Sequence, residues 1–362
     1  MYPFFKVADM NSEGNERSLV NSVNYIDEAT REVLRANVFI PGTIVFPKVG
    51  GAISTNKKRR IVVPSCVDNN VMGLTPRSEL IDADYLEWWL QGIDIYEFSN
   101  KANPPSITQT TVKEWPIALP PLEEQQRIVA VLDEALEGLA RARAHAEANL
   151  QNARELFGSY LNSVFEKSGP SWTTSTLGET CTFVGGSQPP KSVFEPVPGA
   201  GLVRLIQIRD YKTDEKAVYI PHELAKRFCT ADDVMIGRYG PPLFQILRGL
   251  DGAYNVALMK AIPNEEMISR DFLFFFLRNR RILDYVERAS SRAAGQSGIN
   301  KATLEPYPIS YPAQSEQDQL VMRLTEAEEQ CNAAVEKYEA KIADLVELRQ
   351  SLLQKAFAGE LT

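Results

Sequence analysis

Hydrophobic and polar positions fall into two rhythms along the chain. Over residues 122–166 apolar or small residues recur in alternating steps of three and four. One series is Leu136, Leu150, Phe157 and Val164, interrupted by Arg143; the other is Leu132, Leu139, Ala146, Ala153 and Tyr160. No proline falls in this stretch, and only Gly138 and Gly158 weaken it. Near the C-terminus the same rhythm returns as Val335, Ile342 and Ala356, broken by Glu328 and Arg349, beside Leu324, Cys331, Tyr338, Leu345 and Leu352. About four heptads of this kind predict a coiled-coil seam. A helix of roughly 43 residues is a rod on the order of 65 Å long. Alone it would leave its seam wet, so the two rods are expected to bury their seams on each other. The start P-P-L-E-E-Q fits a helix N-terminus. Its prolines end the preceding extended segment and suit a first turn, and Glu123 and Glu124 face the positive end of the dipole.

The second rhythm is alternation, with β-branched residues. It predicts strands at Leu202–Ile208 and Val234–Gly237, and further strands around Leu243–Leu247 and Ala257–Ala261. Residues Asp271–Glu287 read as a helix with an aromatic face of Phe272, Phe274, Phe275 and Phe276; in the first half of the chain Tyr85, Trp88 and Trp89 take those places. Stacking on nucleobases is one use of such a face. A core position is the expectation for four aromatics on one short helix.

The rhythms repeat because the chain repeats. W-P-I-A-L-P-P-L-E-E-Q at Trp115 matches Y-P-I-S-Y-P-A-Q-S-E-Q at Tyr307, an offset of 192 that holds to the helix ends, where Ser159, Leu161 and Phe165 fall on Ser351, Leu353 and Phe357. Upstream, D-Y-L-E-W-W-L at Asp84 resembles D-F-L-F-F-F-L at Asp271. N-V-M at Asn70 resembles N-V-A at Asn255, P-K-V-G at Pro47 resembles G-R-Y-G at Gly237, and F-F-K-V-A-D-M at Phe4 resembles L-I-Q-I-R-D-Y at Leu205. The offset drifts from 201 through about 187 to 192, so loops differ in length. The reading is a tandem duplication: α+β, two β-rich domains joined by two long helices in an antiparallel coiled coil, with internal pseudo-twofold symmetry. The segments are 1–118 and 170–310 for the domains, and 119–169 and 311–362 for the helices.

Composition excludes more chemistry than it suggests. The four cysteines are scattered, without a C-x-x-C, which fits free thiols in a reducing cytoplasm. Two histidines with no cysteine cluster beside them exclude a structural zinc site, and no metal site is expected. No run of 18 apolar residues predicts a membrane span. Net charge is −8, yet the two helical segments carry −3 and −5 while the domains carry −2 and +2. Whole-chain charge therefore does not argue against a polyanionic partner. G-G-S-Q-P-P-K-S at Gly185 lacks the glycine before the lysine that a nucleotide-binding loop requires, and its prolines remove amide donors. Asn103-Pro104-Pro105-Ser106 lacks the aromatic residue of an amino-methyltransferase motif, and no glycine-rich cofactor loop follows a strand. No catalytic residue is assigned.

Polar residues at loops and strand ends suit nucleic-acid contacts instead, because Arg, Lys, Gln and Ser read phosphates and base edges. Ser187, Gln188 and Lys191 lie in a Gly/Pro loop. Arg204, Gln207 and Arg209 lie at or near strand positions, Arg238 and Tyr239 follow another strand, and Arg292, Gln296 and Ser297 lie in a polar loop. In the first half Lys48 stands alone, and Lys57, Lys58, Arg59 and Arg60 form a compact basic run that is either a solvated hairpin tip or a phosphate contact.

Taken together, the paired W-P-I-A-L-P-P-L-E-E-Q-Q-R-I-V and Y-P-I-S-Y-P-A-Q-S-E-Q-D-Q-L-V segments, L-R-Q-S-L-L-Q-K-A-F-A-G-E-L at Leu348 and W-T-T-S-T-L-G-E-T-C-T-F-V-G-G at Trp172 resemble the specificity (S) subunit of Type I restriction-modification systems over essentially the whole chain. The resemblance implies a non-catalytic cytoplasmic subunit with two target-recognition domains, each reading half of a bipartite site on double-stranded DNA. Its helices would act as a ruler and dock two methyltransferase subunits, with Glu124, Gln125, Arg127, Glu316 and Gln317 facing the partner. S-adenosylmethionine, and ATP with Mg²⁺, would sit on methyltransferase and restriction subunits, and none in this chain. Base readout falls to Gln188, Gln207, Arg209 and Gln296, and positioning on phosphates to Lys48, Lys57, Lys58, Arg59, Arg238 and Arg292. One departure stands out. About 38 residues from Trp172 precede Asp210, but only eight precede Asp9. The first domain is thus expected to be truncated at its N-terminus, without a counterpart of the Gly185–Ser192 loop. A different class is an assembly scaffold, or a degenerate specificity subunit that must pair with another copy.

Overall fold

Two 45-residue helices, α4 (Leu122–Glu166) and α9 (Gln314–Ala358), organise a computed structural model of the chain. The structure describes residues 1–167, 169–292 and 298–360, with the side chains of residues 291 and 292 outside the description. The chain divides into two units, Met1–Glu147 with Glu339–Thr362, and Ala148–Tyr338, so that each long helix contributes to both.

Unit 1 contains β1 (Tyr2–Phe5), β2 (Ser18–Leu19), β3 (Tyr25–Ile26), α1 (Glu28–Leu34), β4 (Val38–Phe39), β5 (Ile44–Pro47), β6 (Arg59–Ile61), β7 (Ser65–Val67), β8 (Val71–Leu74), α2 (Ala83–Gln91) and α3 (Gln109–Lys113), then the start of α4. Unit 2 contains β9 (Thr173–Thr176), α5 (Leu177–Thr180), β10 (Cys181–Gly185), β11 (Leu202–Ile206), β12 (Tyr219–Pro221), β13 (Phe228–Cys229), β14 (Val234–Gly237), β15 (Gln245–Leu247), β16 (Gly252–Tyr254), β17 (Leu258–Pro263), α6 (Arg270–Leu277), α7 (Arg280–Arg292), α8 (Lys301–Leu304) and β18 (Pro308–Tyr311), then the start of α9.

The sheets show the duplication. One sheet of unit 1 runs β3-β1-β7-β4, and one of unit 2 runs β12-β11-β16-β13. Each is built on a parallel pair: Phe4↔Cys66 and Phe5↔Val67 in unit 1, Leu205↔Ala253 and Ile206↔Tyr254 in unit 2. The same turn ends the first strand of each pair. The Asp9 carboxylate accepts the Lys6 N–H at 2.6 Å, and Asp210 accepts that of Gln207 at 2.9 Å, each starting a short 3-10 turn. The second sheets are β2-β6-β5-β8 and β10-β17-β14-β15. In these, β5 and β8 pair antiparallel from Ile44↔Leu74 to Pro47↔Val71, as β14 and β17 do from Val234↔Ala261 to Gly237↔Leu258.

The aromatic segments are core, as four ring-bearing residues at helical spacing demand. Phe272 and Phe275 are fully buried, and Tyr85, Trp88 and Trp89 nearly so. No ring of α6 is left to stack on a base. The expected single helix over Asp271–Glu287 is two helices. Asn279 interrupts it: its side-chain oxygen accepts from the Arg281 and Ile282 N–H groups and caps α7. Ahead of it, the Arg278 guanidinium lies over Phe274 and Phe157 and pairs with Glu328, with one bond at 3.1 Å. Glu328 thus breaks the heptad series because it takes up this arginine.

Both long helices pack in an antiparallel sense. In unit 1, Ile128, Leu132 and Leu136 of α4 join Leu353 and Ala356 from the end of α9, beneath Tyr85 and Trp88. In unit 2, Leu161 near the end of α4 joins Leu320 and Leu324 from the start of α9. No helix among the described residues is long and apolar enough to cross a membrane.

Candidate nucleic-acid interface

The strongest polar feature is a position that both units build alike. In unit 1, β5 runs into Lys48, whose N–H donates to Asn70 O at 2.8 Å and whose carbonyl accepts from Ile107 N at 2.9 Å. In unit 2, β14 runs into Arg238, whose N–H donates to Ala257 O at 2.9 Å and whose carbonyl accepts from Ile299 N at 3.1 Å. Two basic residues therefore occupy equivalent places, each stitched to the turn before the next strand and to a distant loop.

Around Arg238 the structure gathers several expected residues. Its Nε donates to Ile299 O at 2.7 Å and its Nη1 to Val256 O at 3.1 Å, and its guanidinium lies 5.3 Å from the Tyr239 ring centroid. The Tyr239 ring packs on Gly298, where a Cβ would fall 2.2 Å from it, and Gly185 lies beside Arg238. The Gly185–Ser192 loop starts here: Gly186 N–H donates to Leu258 O at 3.0 Å and Ser187 N–H to Tyr254 O at 3.2 Å. Gln188 and Lys191 lie beyond it, both exposed. Ile208 packs on Gly237, which brings Gln207 and Arg209 towards the same end of the unit. Arg209 is exposed, and its Nη2 donates to Lys216 O at 3.1 Å. The Asp210 carboxyl beside it is buried, which raises its pKa against the pull of Gln207 N–H, Arg204 and Arg209. Arg204 is taken up by Asp214 at 2.6 Å. Arg292 by its side chain, and Gln296 and Ser297 altogether, lie outside the described residues.

The basic run of unit 1 is not a hairpin tip. Arg59 and Arg60 open β6, which lies between β2 and β5. Lys58 is 1% exposed, donates to Asn56 Oδ1 and Ile93 O at 2.7 Å each, and is pushed down to about 8 by burial. The phosphate contact expected of it is therefore ruled out. Arg59 donates to Lys58 O and Met10 O, and Arg60 pairs with Asp84 and Glu87. Glu87 also binds Arg17 at 2.7 Å, so a buried carboxylate holds two arginines. Lys57, half-buried, bonds to Asn11. The run splits because Lys58, just ahead of β6, is taken up by Asn56 and Ile93, whereas Arg59 and Arg60 on the strand stay partly exposed.

Two residues expected at the partner surface are internal. Gln125 is fully buried: its Oε1 accepts from Asp82 N at 2.8 Å, and its Nε2 donates to Leu80 O at 2.9 Å and Pro120 O at 2.8 Å. Gln317 repeats the device with Ser269 N at 2.8 Å, Met267 O at 2.8 Å and Pro312 O at 2.9 Å. Asp82 and Ser269 are the N-caps of α2 and α6, so each glutamine ties the first turn of a long helix to the start of the aromatic helix. With every polar group spent inside, neither offers a contact to another subunit. Arg127 stays exposed and pairs with Glu124 at 2.9 Å; Glu316 takes a 3.3 Å bond from the Trp172 indole N–H. The sequence did carry a signal for the glutamine role: Pro120 and Gln125 recur together as Pro312 and Gln317, the offset 192 in both. Sequence reasoning missed Arg35 and Asn69, which line a cavity of about 240 Å³ together with Lys48; Arg35 sits in a left-handed helix cap with no sequence signal.

Among the described residues no group of His, Cys, Asp or Glu is placed to hold a metal ion, and Cys66, Cys181, Cys229 and Cys331 are free thiols. The chain matches the Type I restriction modification DNA specificity domain over residues 1–144 and again over 170–343. It is similar in fold to a structure described as the structural basis underlying complex assembly and conformational transition of the type I R-M system (TM-score 0.80, 21% identity, covering 99% of this chain and 92% of that one). It is likewise similar to the HsdS subunit from Thermoanaerobacter tengcongensis (TM-score 0.66, 21% identity, covering 99% and 91%). With both halves of the duplication matched, the chain belongs to the family of Type I restriction-modification DNA specificity subunits, which are non-catalytic.

Proposed function

We propose that each unit reads one half of a bipartite site on double-stranded DNA, and that the long helices linking the readers also dock methyltransferase subunits, two per chain. The observation that carries this reading is the equivalence of Lys48 and Arg238: two units of one design each hold a basic side chain at the same place. Phosphate contacts from such residues position a protein on the duplex, and base contacts select the sequence. In unit 2 the base-reading side chains are Gln188 and Arg209, together with Gln296, which lies outside the described residues; Gln207 stands behind them with its Nε2 buried. Each good bidentate pair contributes about 1–3 kcal/mol of discrimination. Arg127 and Glu124 on the first turns of α4 suit the methyltransferase side. S-adenosylmethionine belongs to that partner, ATP with Mg²⁺ to restriction subunits, and the assembly to the cytoplasm.

The test is a mobility shift of the chain with its methyltransferase on duplexes of random and selected sequence. Lys48→Ala and Arg209→Ala are expected to weaken binding while partner association is unchanged. A residue on a phosphate lowers affinity uniformly and reduces the salt slope by about one, whereas a residue on a base relaxes preference at one position. If both variants bind every duplex as the parent does, the assigned interface is wrong.

A further inference from the structure

Unit 1 has its basic run taken up by internal partners, yet one loop still stands beside Lys48. After β5 the chain runs antiparallel to Pro105–Ile107. The Lys48 carbonyl accepts from Ile107 N at 2.9 Å, Val49 bridges Ser106, and the Gly50 N–H donates to Pro105 O at 2.8 Å. The residues that lead into this ladder, Asn100–Ser106, include the Asn103-Pro104-Pro105-Ser106 segment that lacks the aromatic residue of a methyltransferase motif.

Register identifies the counterpart of this loop in unit 2. At the offset of 192, Asn100–Ser106 falls on Arg292–Gly298. Ile107 and Ile299, both buried, donate their N–H groups to the equivalent carbonyls of Lys48 and Arg238. One residue further, Thr108 and Asn300 cap α3 and α8, accepting from the Thr111 and Thr303 N–H groups at 3.2 and 3.0 Å. Ser106 bridges Val49 where Gly298 lies against Tyr239. Asn100–Ser106 is therefore the unit 1 version of the segment that in unit 2 carries Gln296 and Ser297.

The loop holds its own shape. At its neck the Asn100 N–H donates to Ser106 O at 3.0 Å, its Oδ1 accepts from the Ala102 and Ser106 N–H groups at 3.1 and 2.9 Å, and its Nδ2 donates to Ser106 Oγ at 2.9 Å. Pro104 and Pro105 fix two φ angles. Such a loop loses little conformational freedom on binding. Its tip, Lys101–Pro104, is exposed and presents no large apolar side chain of the kind that forms the core of a protein interface. Lys101 is paired with Glu97 at 2.7 Å. That leaves the Asn103 amide, which has no hydrogen-bond partner among the described residues. An amide offers a donor and an acceptor side by side, which matches N7 and N6 of adenine in the major groove.

We infer, resting on the proposed reading of a bipartite duplex site, that Asn100–Ser106 is the base-reading loop of unit 1, and that Asn103 is the residue that specifies an adenine in the half-site of that unit.

The test selects binding sequences from a random duplex pool with the full chain and its methyltransferase, for the parent, Asn103→Ala and Asn103→Asp. The parent is expected to require adenine at one position of one half-site. Asn103→Ala is expected to relax that position alone and to weaken binding to the parent's selected site about tenfold. The other half-site and the salt slope should be unchanged, which shows that the variant is folded. Asn103→Asp is expected to exchange adenine for cytosine, because a carboxylate accepts from cytosine N4. If the parent selects a bipartite site and both variants select the same one, this inference is overturned while the bipartite reading stands. A parent that selects no sequence overturns that reading and the inference with it. A loss equal on every duplex makes Asn103 a phosphate contact, and weakened methyltransferase association with sequence preference intact makes the loop a protein surface; either result overturns the base-reading role.

Discussion

Replacing Gln317 by alanine is expected to cost unit 2 about 3–5 kcal/mol. The side chain makes three hydrogen bonds at a site with no exposure, and alanine would orphan Ser269 N–H, Met267 O and Pro312 O together. Each buried polar group left without a partner costs about 1–3 kcal/mol, partly relieved where water enters the space. The same change at Gln125 strikes unit 1 through Asp82, Leu80 and Pro120. Amide exchange resolves the two: Gln317→Ala should loosen α6 and leave α2 protected, and Gln125→Ala should do the reverse. Gln317→Glu is expected to be no better, because a carboxylate places an acceptor against Met267 O and Pro312 O. A loss below about 1 kcal/mol in both units, with methyltransferase binding abolished, would return these glutamines to the partner surface.

A second large effect is tied to pH. Lys58 sits among Asn56 Oδ1 and Ile93 O with no carboxylate bonded to its ammonium, and burial lowers it from 10.5 to about 8. Folded protein therefore releases this proton at a lower pH than the unfolded chain does. Between about pH 8 and 10.5 the unfolded state binds more protons, so stability rises with pH across that window and is level below it. At about 1.4 kcal/mol per unit, the rise approaches about 3 kcal/mol. Other buried groups act oppositely: burial pushes Cys229 up to about 11 and Cys181 up to about 12, which costs stability as the unfolded thiols ionise. The measurement is therefore a difference. Urea midpoints of the parent and of Lys58→Met at pH 7 and pH 10 should diverge in favour of the parent at the higher value. At pH 7 the variant should lie close to the parent, because losing a desolvated charge offsets the orphaned Ile93 carbonyl. Parallel pH profiles would show that Lys58 is charged and solvated in the folded chain.

The long helices are legible in the sequence because their signal is local and redundant. Heptad spacing, absence of proline, and an acidic first turn after Pro120-Pro121 all describe residues within one element. Strands β11, β14 and β17 are legible for the same reason, to within a few residues at their ends. The break at Asn279 is not, because it comes from one side chain bonding two backbone N–H groups, which helical periodicity does not register. The candidate site divides along the same line. Lys48 and Arg238 stand out by residue type, but their equivalence rests on which carbonyl and which N–H each backbone meets, at loops far away in sequence. Lys58 and Arg59 are indistinguishable as neighbours in a basic run; contacts to Asn56 and Ile93 bury the first, and the second stays partly exposed.

Repeated local patterns were thus enough to establish that the protein is built twice, where its helices run and which family it resembles. Which polar residues are free to meet a partner was settled only in three dimensions. Burial and hydrogen bonding depend on contacts such as Gln125 to Leu80 and Lys58 to Ile93, which join residues tens of positions apart and leave no mark on the residues between them.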